Sequence, residues 1–271
     1  MRNFILIPSL LALAAGVAVG TPQTRNTRPN ASQAIGLMKS SDWNDREQGF
    51  IAARALLQSA KSNGDTDNLR LGVIQLLMIE NEHKGDARAD ETEADKNMQY
   101  YASLIGLVAD LNDERAIPAL LGAVGSGGMA MRGIARFGPK ALLPVLAQVD
   151  AQNPVLAGGA LFVIREMLKT HSVSDPNSHA RIITALRSAL GRPEIAVRDG
   201  AIAAIEFLDD RDQFVPILQD IAEHDPIRIP GLKADDNEDN GEMYPVRRNA
   251  RYLLRKIANH EPPAGDHGVR P

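Results

Sequence analysis

"GRPEIAVRDGAIAAIEFLDDRDQFVPILQDI", Gly191 to Ile221, is the stretch that decides the fold. Its first half sets Val197, Ala201, Ala204, Ile205 and Leu208 at i, i+4, i+7, i+8 and i+11, which is one apolar stripe on a helix. The small side chain in the second slot, Ala201, lets a neighbouring helix come close. After the polar link "DDRD", Pro216 stands two residues before Leu218. Proline is tolerated in a first helical turn, where its missing N–H had no partner to lose. The stretch therefore predicts a helix, a short link and the opening of a second helix.

The same stripe recurs at Val246, Ala250, Leu253, Leu254 and Ile257, at Leu156, Ala160, Val163, Ile164 and Met167, and near the start at Gly49, Ala53, Leu56, Leu57 and Ala60. A second series alternates with it: "AIPALLGAV" around Pro118, "LLPVLAQV" around Pro144 and "FVPILQDI" around Pro216, each predicted to open a helix. Pro118 lies 16 residues before Ile134, and Pro144 lies 16 before Ala160. A fixed spacing between two kinds of helix marks an internal repeat, in which each unit buries its apolar face only by stacking on the next. Alternating β-branched or aromatic runs, the mark of strands, are missing.

"ERAIPALLGAVGSGGMAMRGIARFGPKALLPVLAQV" and the opening stretch resemble HEAT repeats of the short bacterial, PBS-lyase type. They share the proline-bearing first helix and the "V-R-x-x-A" second helix, at Val197, Arg198, Ala201 and again at Val246, Arg247, Ala250. The resemblance spans residues 95 to 258, with 31 to 94 matching by pattern. It implies an all-α fold, a right-handed α-α superhelix of about five helix pairs covering residues 31 to 260. Three features depart from it: Leu156 and Ala157 stand where an arginine is expected, the helix near Arg181 has no early proline, and the 16-residue spacing fails at the end. Pro216 to Ala250 is 34 residues, an excess of 18, so an insertion, residues 225 to 243, separates the two helices of the last repeat.

Within that insertion "DDNEDNGE", Asp235 to Glu242, carries five carboxylates. A calcium loop would use Asp236, Glu238 and Asn240 as ligands, but its twelfth position is Arg247, a cation where a bidentate glutamate belongs. Two other readings stay open: a solvated acidic loop, or a tethered shield over the basic helix behind it. That helix carries Arg247, Arg248, Arg251 and Arg255, the candidate partner-binding residues, together with Lys256.

The chain begins "MRNFILIPSLLALAAGVAVGTPQ", one cation, an apolar run from Phe4 to Val19, and small residues Ala18 and Gly20. This is the layout of a secretory signal peptide over residues 1 to 20, cut ahead of Thr21. The run falls short of the ~20 residues that span a bilayer. Export to a bacterial periplasm or the exterior is expected, with no stable membrane insertion. Residues 21 to 30 read as a linker and 261 to 271 as a frayed tail.

Cysteine is absent, which excludes disulfides, thiolate chemistry and Cys-ligated zinc. The formal net charge of -4 gives no global field to attract nucleic acid. With aromatics at 4%, small and aliphatic side chains must fill the core, which favours close-lying helices. None of the six histidines falls at metal-ligand spacing on a helix face, and no hydrolase or kinase motif occurs. "GSGG" at Gly125 to Gly128 reads as a helix–helix turn, Trp43 as a packing anchor, and "HKGDARADETEADK" from His83 as an exposed break.

The residues favour a non-catalytic scaffold that binds a protein or peptide, an acidic one suiting the arginines, along the concave face, with no cofactor. The resemblance leaves a bilin lyase-like or other enzyme as the alternative, and the acidic insertion leaves a calcium-modulated binder.

Overall fold

A computed structural model describes residues 30–59, 64–83, 91–229 and 243–261. The signal-peptide reading, the cut at Thr21, most of the linker and tail, and the calcium candidates Asp236, Glu238 and Asn240 lie outside the described residues. Among those described, twelve α-helices and three short 3-10 helices follow one another, and β pairing is confined to an isolated antiparallel bridge, Ile229 with Met243.

The helices form antiparallel pairs. They are α1 (Ala31–Met38) with α2 (Trp43–Ser59), α3 (Gly64–His83) with α4 (Glu91–Asp110), and α5 (Ile117–Gly122) with α6 (Gly128–Ala135). The series continues with α7 (Pro139–Val149) and α8 (Pro154–Lys169), α9 (Pro176–Leu190) and α10 (Ile195–Ile205), and α11 (Val215–His224) and α12 (Pro245–Ala258). First helices stack on first helices from α1 through α9, and second helices on second helices from α2 through α12. The chain is therefore an all-α helical-repeat solenoid, with six pairs among the described residues rather than five.

The stripes read from the sequence are the core. Val197, Ala201, Ala204, Ile205 and Leu208 are buried, as are Ala160, Val163, Ile164 and Met167. Each large aliphatic so buried contributes roughly 1.5–3 kcal/mol. A close seam runs between α8 and α10 and is built on glycine. A Cβ at Gly158 would sit 2.7 Å from the Ala196 carbonyl oxygen, and one at Gly200 only 2.9 Å from Leu161 Cβ. The two backbones touch there, two positions before the alanine slot on α8 and one before it on α10.

Pro118 and Pro216 occupy the first turns of α5 and α11, as expected. Pro144 does not open its helix. Pro139 takes the first position of α7, after Gly138 at φ 54, and Pro144 lies inside. Its exposed position lets water serve the carbonyl that its missing N–H leaves free. The helix around Arg181 does have an early proline, Pro176, behind the Asp175 cap, which accepts from Ser178 N–H at 2.9 Å. The polar break after His83 is also shorter than expected, because α4 already begins at Glu91.

Helices α8 and α12 end alike. His171 and His260 adopt φ 49 and 52, in the left-handed region, and the next N–H returns to a carbonyl five residues back, Ser172 to Met167 and Glu261 to Lys256. This is a Schellman stop with histidine where glycine is usual. Gly127, at φ 127, makes the turn into α6 where "GSGG" placed it.

Trp43 packs edge-on to Tyr100 with centroids 6.4 Å apart, while the Arg46 guanidinium lies 4.8 Å from the Tyr100 ring centre. Arg46 also reaches Glu80 and Asn97, so α2, α3 and α4 meet at one cation. Burial pushes the Tyr100 hydroxyl up to about 12, and it donates to the Met38 carbonyl.

Candidate functional site

Second helices expose one stripe each, and stacking aligns the stripes into a continuous face. From α6 come Met129, Arg132 and Arg136; from α8 Phe162, Arg165, Glu166 and Lys169. Asp199 and Glu206 follow on α10, then Arg248, Tyr252 and Arg255 on α12. Its carboxylates are largely committed. Asp110 at the end of α4 faces Arg136 at 3.5 Å, and Glu206 holds Lys256 at 2.6 Å. Asp199 accepts from the Asn249 amide at 3.1 Å.

Its cations are less committed. Among the described residues no carboxylate lies within ion-pairing distance of Arg132, Arg165, Lys169 or Arg248. Arg165 is held by rings instead, 5.2 Å from the Phe207 centre and 5.9 Å from that of Phe162, and its Nε is buried without a hydrogen-bond partner. Between the C-terminal ends of α6 and α8 the face opens into a groove of about 400 Å³, lined by Arg132, Ala135, Arg136, Glu166, Thr170 and Ser172.

The four arginines singled out in α12 separate into different roles. Arg247 turns away from the face. Its Nε donates to the Asp225 carbonyl at 2.6 Å and its guanidinium lies 4.1 Å from the Tyr244 ring centre. Arg248 and Arg255 are exposed beside Tyr252, and Arg251 is half-buried.

Asp225 is the residue that sequence reasoning missed. It is buried where α11 ends, and its carboxylate pairs with Arg198 of α10, itself buried. Its Oδ1 also accepts from Ile227 N–H at 3.0 Å. The arginines of both "V-R-x-x-A" motifs thus converge on Asp225, Arg198 on the carboxylate and Arg247 on the carbonyl. Beyond it, Ile229 N–H donates to the Met243 carbonyl at 3.0 Å, so the two ends of the described chain around the insertion lie side by side. A repeated arginine beside a helix-ending Asp-Pro was the available signal.

Burial holds the Asp199 carboxyl above the usual range, with Asn249 and Arg198 pulling it down and Asp225 pushing it up. A carboxyl raised in the folded state favours its proton there. Its ionised form at neutral pH opposes folding, and that penalty fades as pH falls through the raised value towards the unfolded one. Asp199→Asn should therefore raise the melting temperature at pH 7, and the gain should be gone below about pH 4. Calorimetry at both pH values checks this, and an unchanged midpoint at pH 7 would show that burial costs Asp199 nothing.

No protein-family model and no curated protein matches the chain. Among solved structures it is similar to a designed armadillo repeat protein at 16% identity, covering 83% of this chain and 98% of that one, with a TM-score of 0.37. Two engineered proteins give 15% identity each: one covers 85% and 99% of the two chains at a TM-score of 0.40, the other 84% and 96% at 0.38. At such scores the likeness carries no argument, and the architecture rests on the helix packing itself. Among the described residues no helix is long and apolar enough to cross a membrane, and no cluster of three metal-ligating side chains occurs.

Proposed function

We propose that this chain is an exported, non-catalytic scaffold of the HEAT type that binds an acidic protein segment along its second-helix face. Stacked helix pairs present their second helices as an extended concave surface, long enough to follow a peptide rather than a single group. One observation carries the reading. On a chain of net charge -4, this face holds Arg132, Arg165, Lys169 and Arg248 without ion pairs, while of its carboxylates Asp110, Asp199 and Glu206 are already engaged and Glu166 alone stands without a partner among the described residues. Cations spaced over several helices attract a ligand with distributed negative charge, and rings such as Tyr252 and Phe162 add apolar contact. Export is supported by the layout of residues 1 to 20.

The test uses the mature chain with fluorescein-labelled Gly/Ser peptides, one rich in Glu and one rich in Lys, and a single-stranded oligonucleotide of equal length. The Glu-rich peptide should bind at low salt and weaken steeply towards about 0.3 M, where the screening length falls to roughly 5–6 Å. Arg165→Gln with Lys169→Gln should weaken it by about a hundredfold, two charge-assisted contacts being lost. Equal binding of both peptides, or tighter binding of the oligonucleotide, would overturn the proposal.

A further inference from the structure

The groove between the ends of α6 and α8 holds opposite charges that do not meet. Arg132 on α6 and Arg136 at its C-cap stand one turn apart and edge it on one side. Glu166, from α8, lines the other. Neither Arg132 nor Glu166 has an ion-pair partner among the described residues, although both border the same space. Arg136 is engaged only with Asp110 at 3.5 Å, with the two side chains 54% and 74% exposed. An exposed pair of that kind contributes roughly 0–1 kcal/mol and exchanges readily for a better-placed anion.

The neutral lining completes a polarity. Thr170 Oγ1 donates to the Glu166 carbonyl at 2.8 Å and Ser172 Oγ to the Met167 carbonyl at 3.2 Å. With their protons so used, both hydroxyl oxygens remain as acceptors. One rim therefore carries guanidinium donors, and the other a carboxylate and two acceptor oxygens, over a mostly apolar floor. A lone carboxylate would satisfy the first wall and be repelled by the second. A ligand with an anion and a cation a few bonds apart satisfies both.

We infer that this groove reads an acidic side chain with a lysine beside it in the bound segment, the carboxylate against Arg132 and Arg136 and the ammonium against Glu166. The inference rests on the proposed acidic-segment reading and adds to it a register. Elsewhere the face takes negative charge generally, whereas here it takes one positive charge at a fixed place. The groove volume of about 400 Å³ holds two side chains rather than a folded element.

Two labelled probes test it: the Glu-rich Gly/Ser peptide, and the same peptide with one central Glu replaced by Lys. The wild-type chain should bind the Lys-containing probe at least about threefold more tightly, although that probe carries less negative charge. Glu166→Gln should abolish this preference while leaving the all-Glu probe equal or tighter. Arg132→Gln should weaken both probes by about tenfold, the loss of one charge-assisted contact. Far-UV circular dichroism of each variant should match the parent. If the all-Glu probe binds more tightly by the same ratio with and without Glu166, the register is wrong. If Arg132→Gln changes neither probe while Arg248→Gln weakens both, the groove is not the site and the acidic-segment reading stands without it. If neither probe binds the wild-type chain, both proposals fall together.

Discussion

Ala201→Asp should cost about 3 to 5 kcal/mol and come close to unfolding the chain, because it places an unpaired charge where no water reaches. Ala201 is fully buried on α10, in the second slot of the stripe, and α10 packs against α8, α9 and α12 at once. Arg198, one turn earlier on α10, is already paired with Asp225, and the glycine seam beside it leaves no slack for the backbones to part. Urea denaturation with a circular-dichroism readout measures the loss. A cost below about 0.5 kcal/mol would mean that the stripe is not the core, and the repeat frame would fail with it. Arg248→Ala is the control, since an exposed arginine without an ion pair should change stability by no more than about 0.5 kcal/mol.

Asp225→Ala should be nearly as damaging, about 3 to 5 kcal/mol, by a different route. Removing one member of a buried ion pair leaves the other charged and unsolvated, and Arg198 is too enclosed to be hydrated in place. Its Nε already lacks a hydrogen-bond partner, so the pairing with Asp225 is its main compensation. The double replacement Arg198→Met with Asp225→Leu should be milder than Asp225→Ala alone, because apolar groups of similar size need no partner. A cycle of the two singles and the double, read by urea midpoints, separates the pair energy from the desolvation. Additive costs would show that Arg198 and Asp225 act independently. Arg247 donates to the Asp225 carbonyl, so it should keep its contact throughout.

The second helices were legible in the sequence because their apolar spacing is a property of the helix itself. Val197 to Leu208 could be placed in the core from periodicity alone. Helix starts were less legible where two prolines compete: Pro144 was visible, yet Pro139 behind Gly138 sets the start, and that depends on a backbone angle. The α8–α10 seam was legible only to within two residues. Periodicity marks the slot of a small side chain, whereas the closest approach at Gly158 and Gly200 depends on how two helices cross.

The candidate face was legible in its parts and not in its assembly. The arginines of α12 stood out as a basic run, but whether each is free depends on groups distant in sequence, Asp225 for Arg247 and Glu206 for Lys256. The unpaired cations nearer the middle, Arg132 and Arg165, belong to no run and become neighbours only when α6, α8 and α10 stack. Charge pairing across a repeat interface has no one-dimensional signature.

The glycine contact between α8 and α10 also bears on how the molecule bends. The joint between α4 and α6 also uses a glycine, Gly133, but there the Ala109 methyl lies between the backbones, and joints with larger side chains can change rotamer as neighbouring units tilt. A joint made by Gly158 against the Ala196 carbonyl has nothing between the backbones to rearrange, so it acts as a stiff hinge pin in a row of softer springs. When the face changes curvature to follow a ligand, the bending must be taken up on either side of that joint. Arg165, Glu166 and Asp199, mounted across it, should keep their mutual spacing while the α6 wall of the groove and the arginines of α12 shift relative to them.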